Sequence, residues 1–290
     1  MANDTDQLQT QMNSLKELFK NSECKILNEM LSDISHDFKT PITVILGAIQ
    51  LMESQAPENE RRKSLKHFIT IKQNCYRLLR LVNNILDINK VESGHFKLNL
   101  TNCNIVYLVE EIASSILPFT RQKSVNMLFD TQIEEIITAV DIDKIERTIL
   151  NLLSNAIKFT GSGGNIYINM YAANNNVIIS IKDDGAGIPP EKQKLIFERF
   201  KQSSSSLTKH NEGTGIGLCL VKYFIEMHEG KIDLKSKIGE GSEFIIKLPI
   251  RTCRINNSQK HSNSDRRIQE AINIEFSDIY SFININERTN

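Results

Sequence analysis

Four short constellations in this chain of 290 residues bring together side chains that can do chemistry. The first is Ser35-His36-Asp37-Phe38-Lys39-Thr40-Pro41. A neutral imidazole is a competent nucleophile near pH 7, and an adjacent carboxylate can fix its tautomer and raise its basicity. On a helix, Thr40 stands one turn from His36 on the same face, while Pro41 withdraws the amide that would bond the carbonyl of Asp37. Phe38 falls in an apolar row, so it is expected to be buried and His36 to project from the side of the helix. Standing alone, the segment also reads as an exposed His on a charged face.

The second, Asn151-Leu-Leu-Ser-Asn155-Ala-Ile-Lys158-Phe159, puts two amides one turn apart on a helix face with a cation beyond them. Amide oxygens can ligate Mg2+ and a Lys can counter phosphate charge; an amide-rich helix end is the plainer account. The third, Asp183-Asp184-Gly185-Ala186-Gly187-Ile188-Pro189, follows a strand pattern. Its glycines let a flat ligand approach the backbone, and a carboxylate accepts from an amino group such as adenine N6; a simple turn competes. The fourth, Glu212-Gly213-Thr214-Gly215-Ile216-Gly217-Leu218, opens a helix pattern and offers N–H groups to an anion such as phosphate. It is neither the dinucleotide fingerprint nor a P-loop, because no Gly-Lys-Ser/Thr follows. The Ser-rich stretch Lys201–Asn211, with Lys201, Lys209 and His210, reads as a lid that brings cations near the phosphates.

These groups need elements to hold them. Leu8, Met12, Leu15 and Phe19 recur as a short coiled-coil seam. Ile34, Phe38, Ile42, Ile45, Ile49 and Met52 form a second helical row, ended near Pro57, and Ile71, Cys75, Leu78, Val82 and Ile85 form a third. Two such helices make a hairpin that cannot bury its seam alone, and a dimeric four-helix bundle solves this. Beyond Ser93-Gly94 the pattern predicts a helix over Asn104–Leu117 ended by Pro118, and an amphipathic helix over Ile145–Phe159. A hairpin follows around Asn174-Asn-Asn, then a helix over Gly217–His228, then a second hairpin across Gly239-Glu-Gly241. Helices interleaved with antiparallel hairpins predict an α+β sandwich.

Composition narrows the classes. With 35 basic and 35 acidic side chains the net charge is zero, which argues against a general nucleic-acid binder. The five cysteines are scattered and form no Cys-x-x-Cys pair, so neither a disulfide framework nor a zinc site is expected. No apolar run approaches the roughly 18 residues of a membrane span, and the N-terminus lacks a signal-peptide pattern, so a soluble cytoplasmic chain is expected. Eleven of the 13 glycines lie between Gly161 and Gly241, which implies two architectures in one chain.

In order and spacing the constellations resemble the sensor histidine kinases of bacterial two-component systems. Ser35–Pro41 resembles the H box of a HisKA dimerisation domain, Asn151–Phe159 the N box, and Asp183–Ile188 the G1 box. Ile196–Phe200 resembles the F box, Gly213–Leu218 the G2 box, and Gly239–Phe244 the closing Gly-x-Gly-Ser/Thr-x-Phe strand. The resemblance implies a helical hairpin forming a dimeric four-helix bundle over residues 24–93, after a linker helix over 1–23. It implies a Bergerat-type ATP-binding sandwich over 94–250, leaving 251–290 as an extension of unknown role.

The resemblance also assigns roles. His36 is the phosphoacceptor, Asp37 its acid–base partner, and Thr40 positions water for dephosphorylating a partner regulator. Asn155, helped by Asn151, holds Mg2+; Lys158 meets phosphate, Phe159 lies against the nucleotide, and Asp183 takes the adenine amino group. Gly213, Gly215 and Gly217 line the phosphates, and Gly185, Gly187, Ile188, Phe200, Lys209, Thr214, Ile216, Leu218 and Ser242 complete the ATP site. Asp37 replaces the usual Glu, Phe159 stands where Tyr or His is common, and Asn151 stands where the hydrolysing relatives carry Glu. An amide takes no proton from water, which favours transfer to His36 over hydrolysis. The implied function is ATP-dependent autophosphorylation of His36 and transfer to an Asp of a response regulator, with phosphatase activity toward it. An ATPase or serine kinase of the same superfamily and a catalytically weak dimeric scaffold are the alternatives.

Residues 1–23 are too few for a sensory domain, so input is expected from a larger design or a partner. In the tail, Ile268, Ile272, Phe276, Ile279 and Ile283 could form one amphipathic face that docks on the kinase or on a partner; a weakly ordered terminus is the other reading. The histidines other than His36 show no partnered context in the sequence.

Overall fold

The computed structural model describes residues 38–55, 57–94, 96–198, 215–253, 264–277 and 279. The N-terminal coiled coil, His36, Asp37, the Ser-rich lid and Ile283 lie outside these residues.

Helix α1 (38–55) and helix α2 (Glu58–Glu92) form the expected hairpin, turning at Pro57, with Lys72 paired to Glu53 across it. Its apolar residues divide between two faces. Ile42 and Ile49 on α1, and Phe68, Ile69 and Cys75 on α2, are buried within the chain. Phe38, Ile45 and Met52, and likewise Ile71, Leu78 and Ile85, recur every seven residues and stay exposed. Phe38, expected to be buried, is 55% exposed in the single chain. The rows read from the sequence mix both faces, because a seven-residue repeat carries two apolar positions that need not point at the same neighbour.

Past the hairpin, strand β1 (Thr101–Asn104) pairs antiparallel with β3 (Ile137–Val140). Helix α3 (Ile105–Ser115) is capped by Asn104, whose side-chain oxygen accepts from Val106 N at 3.1 Å. The chain breaks at Ile116 and restarts as α4 (Leu117–Gln122), so Pro118 opens a helix rather than ending one. In a first turn the missing N–H of proline costs nothing. Strand β2 (Asn126–Thr131) precedes β3, and α5 (Ile142–Phe159) starts from an Asp141 cap.

The main sheet holds β2, β4 (Asn165–Ala173), β5 (Asn176–Asp183), β7 (Gly241–Pro249) and β6 (Lys231–Lys237), in that order. Both predicted hairpins are present, β4 with β5 and β6 with β7. Strand β2 pairs parallel to β4, so the sheet is mixed rather than built of antiparallel hairpins alone. Alternation places Ile166, Ile168 and Met170 of β4 and Val177, Ile179 and Ile181 of β5 in the core with Ile149, Leu153 and Ile157 of α5. Helix α6 (Pro190–Gln193), a 3-10 turn (Leu195–Phe197) and helix α7 (Gly217–Met227) follow β5.

Helix α8 (Ser264–Glu275) packs on α5, α2 and α3. Ile268, Ile272, Phe276 and Ile279 are buried in the main core, and the Phe276 ring lies 4.7 Å from that of Phe119. Helix α8, with Phe276 and Ile279 beyond it, is thus part of the core. Among the described residues no helix is long and apolar enough to cross a membrane.

Candidate functional site

Helix α5 carries the amides. Asn151 is buried and Asn155 partly so, and Asn155 Nδ2 donates to Asn151 Oδ1 at 3.3 Å, as the one-turn spacing allows. Lys158 and Phe159 end the helix, with the ammonium 5.5 Å from the centre of the half-exposed Phe159 ring. The last carbonyls of α5, those of Ile157 and Lys158, accept from Lys123 Nζ at 2.5 and 2.7 Å. The sequence gives no sign of this cap, because Lys123 stands 34 residues away from Ile157.

The loop after β5 packs against that helix end. Gly187 has φ +70°, and a Cβ there would collide with the carbonyl of Lys237. The two adjacent aspartates divide their work. Asp184 gives both oxygens to Asn165, one to its N–H and one to its side-chain amide, each at 2.8 Å. Those bonds hold the exposed Asp184 carboxyl below the usual carboxylate range. Asp183 is buried, which pushes its carboxyl up; N–H groups of Gly185 and Ser242 partly oppose this. Gly185 N–H reaches only one of its oxygens, Oδ1, at 2.9 Å. Ser242 pairs with Asp183 across β5 and β7 and shares a hydroxyl contact with Ser236, which in turn accepts from Ile188 N at 2.8 Å. Asp183 is therefore a carboxylate on a fixed floor, suited to an amino group of a flat ligand.

The N-terminus of α7 faces the amides. A Cβ on Gly217 would stand 2.5 Å from Asn151 Nδ2, so a larger residue there would have to push the Asn151 amide aside. The first intrahelical bond runs from Leu220 N to Ile216 O, so the N–H groups of Gly217 and Leu218 have no acceptor within the helix. The side chains of Ile216 and Leu218 turn elsewhere. Ile216 is buried with Ile88, Leu220 and Phe224, and Leu218 packs on the main core. Phe200, Lys209, Gly213 and Thr214 lie outside the described residues.

Of the acceptor segment, Phe38 to Pro41 are described, and Thr40 is exposed. Burial pulls the Lys39 ammonium below its usual value, Asp87 of α2 partly restores it, and Arg147 of α5 is among the cations that lower it further. The hairpin meets the sandwich at this point. Arg147 is ion-paired with Asp87, donates to Asn84 Oδ1 at 3.0 Å, and lies 3.7 Å from Glu275 of α8. Burial alone would lower the Arg147 guanidinium, but Asp87 and Glu275 more than offset it.

Two further groups had no sequence signal. His228 is buried, accepts from Asp141 N at Nε2 (2.9 Å) and contacts Phe224 O through Nδ1 (2.6 Å), which makes it a neutral strut rather than an unpartnered histidine. Burial holds it below the usual imidazole value. Glu146 on α5 is buried against Arg267 of α8, at 2.6 Å. Burial pushes its carboxyl up to about 7.

Amide oxygens, a buried acceptor carboxylate, a close glycine turn and a helix N-terminus converge on the C-terminal half of α5. That donor set suits a purine nucleotide with a hard divalent cation. Among the described residues no group of three His, Cys, Asp or Glu side chains is placed to hold a metal.

Comparison with known proteins agrees. The family described as "Histidine kinase-, DNA gyrase B-, and HSP90-like ATPase" matches residues 140–252, and the "His Kinase A (phospho-acceptor) domain" matches residues 26–94. Hybrid signal transduction histidine kinase D of Dictyostelium discoideum is 33% identical over 91% of this chain, which spans 17% of that protein. Sensor histidine kinase TmoS of Ectopseudomonas mendocina is 35% identical over 77% of the chain, which spans 23% of it. Sensor histidine kinase YclK of Bacillus subtilis is 32% identical over 77%, with 46% of its own length covered. Among solved structures, full-length ShkA in complex with AMPPNP superposes with a TM-score of 0.65 at 26% identity, over 78% of this chain and 46% of that one. With the acceptor domain followed by the ATPase-like domain, and the site motifs falling within them, the chain belongs to the sensor histidine kinases.

Proposed function

We propose that the chain is an ATP-dependent protein-histidine kinase that phosphorylates itself on His36 and passes the phosphoryl group to an aspartate of a response regulator. The observation that carries this reading is the convergence of Asn151, Asn155, Asp183 and the α7 N-terminus in a domain that follows the matched phospho-acceptor domain, residues 26–94, which contains His36. Asp183 receives the adenine amino group, Phe159 lies against the base, and Gly215 and Gly217 with the first N–H groups of α7 line the phosphates. Asn155, helped by Asn151 behind it, would hold Mg2+, which when bound supplies positive charge beside the phosphates. The imidazole of His36 forms the new N–P bond as the bond from the γ-phosphorus to the bridging oxygen breaks. ADP leaves with the electron pair, and Asp37 accepts the imidazole proton. Asn151 offers no base to water, which directs the phosphoryl group to His36. Thr40, exposed and four residues after His36 in sequence, positions water for dephosphorylating a phosphorylated regulator.

The chain acts as a homodimer. Phe38, Ile45 and Met52 with Ile71, Leu78 and Ile85 present apolar side chains at two-turn intervals on both helices, a seam a second hairpin would cover. Incubation with labelled ATP and Mg2+ yields a base-stable, acid-labile adduct that disappears in His36→Ala. Equal labelling of that variant, or acid-stable label on Ser or Thr, refutes the reading.

A further inference from the structure

The tail helix α8 ends inside the site. Glu275 is buried, and its main-chain carbonyl accepts from Ser154 Oγ on α5 at 3.3 Å. Its carboxylate accepts from Asn151 Nδ2 at 3.4 Å and lies 3.1 Å from Arg80 Nε of α2 and 3.7 Å from Arg147 of α5. Asn84, Arg147, Asn151, Gly217 and Glu275 line one small crevice between the hairpin and the nucleotide side of α5. A carboxylate can only accept, so it decides which way an amide beside it turns. With Asn151 Nδ2 committed to Glu275, its Oδ1 faces Asn155 and accepts a hydrogen bond from Asn155 Nδ2 at 3.3 Å. Asn155 is then left with its own oxygen for a ligand. The three side chains form a directed chain that runs from the tail to the metal-binding amide.

We infer that Glu275 is a positioning residue of the nucleotide site, orienting the Asn151–Asn155 amide pair so that the oxygen of Asn155 is presented to the divalent cation. The inference rests on the proposed nucleotide site and adds a residue from a segment outside both matched domains, residues 26–94 and 140–252. Partners behind a metal ligand typically change metal affinity by about 10–100-fold when removed. Without Glu275 the buried amide of Asn151 is free to turn its oxygen toward Arg147, and the direction of the chain is lost.

The test is ATP binding to the full chain by calorimetry, in excess Mg2+, across a Mg2+ titration, and in EDTA. Glu275→Ala raises the Mg2+ concentration for half-maximal tightening by roughly tenfold and leaves affinity in EDTA within about twofold of wild type. Glu275→Gln, whose Oε1 still accepts from Asn151, restores the wild-type Mg2+ requirement although it loses the charge facing Arg80 and Arg147. Arg80→Ala, which removes one of the two cations facing Glu275 and keeps the acceptor, also retains it. Equal losses in EDTA and Mg2+, an unchanged Mg2+ requirement in Glu275→Ala, or no rescue by Gln overturns the inference alone. A wild-type chain that binds ATP no better with Mg2+ than in EDTA overturns the nucleotide reading with it.

Discussion

Replacing Phe276 with Ala tests whether the tail belongs to the core of the sandwich. The ring is fully buried and meets Phe119 at 4.7 Å, tilted by 58°. Deleting it removes burial on the order of 150–250 Å², worth about 4–6 kcal/mol at ~25 cal/mol per Å², a ceiling that Phe→Ala exchanges approach at about 3–5 kcal/mol. A loss of about 4 kcal/mol lowers the unfolding midpoint by roughly 8–16 °C for a unit of this size. Gln269, exposed on the same helix, is the control, and Gln269→Ala should cost under about 0.5 kcal/mol. Urea unfolding of the full chain, followed by circular dichroism, supplies the numbers. A cycle with Phe119→Ala should return a coupling of about 0.5–1.5 kcal/mol for the ring pair. If Phe276→Ala costs less than about 1 kcal/mol while Phe119→Ala costs its full share, the tail is not holding the core and the reasoning fails.

Three other outcomes follow from the geometry. Glu146 titrates near 7 when folded against an ordinary 4.5, so the native state holds the extra proton and stability falls as pH rises through that window, by about 3 kcal/mol in all. His228 is shifted down, so its contribution is present above its ordinary 6.5 and is lost as pH falls below it. Glu146→Gln should remove the loss on the rising side and leave the acid-side loss; unfolding curves from pH 5 to 8 that stay parallel to wild type refute the assignment. Asp183→Asn should weaken ATP binding in EDTA by about 10–100-fold, the worth of a charged hydrogen bond, whereas Asp184→Asn should lower the unfolding midpoint with affinity within about threefold. Equal affinity losses in both variants would mean that the two carboxylates were misassigned. Gly217→Ala should displace the Asn151 amide and weaken Mg2+-dependent ATP binding more than binding in EDTA, and unchanged binding would show that α7 can draw back without cost.

Residues that act through local spacing were legible in the sequence. The amphipathic period of α5, the alternation of β4 and β5 and the glycine turns all follow from neighbours a few positions apart, and they placed Asn151, Asn155, Asp183 and Gly217 correctly on their elements. What escaped lies at long separation. Asp141 meets His228 across 87 residues, and Asn151 meets Glu275 across 124, and no local pattern encodes either. Strands β1 to β3 escaped because two of them have four residues and β2 puts Asn126, Leu128 and Asp130 on its exposed face, leaving little periodic signal. Phe38 was misplaced because its row mixes two faces of the helix: Ile42 and Ile49 are buried, whereas Phe38, Ile45 and Met52 are exposed in the single chain.

The position of α8 bears on how the protein is made. The groove it fills, on α2, α3, α4 and α5, is complete in sequence by Phe159, yet the residues that cover it start at Ser264. During synthesis at about 5–20 residues per second, that apolar groove stays open for several seconds after its walls have emerged. A chaperone, or a second nascent chain, would find it there. A chain ended before Ile268 would carry the whole matched ATPase-like region, residues 140–252, with that groove unfilled.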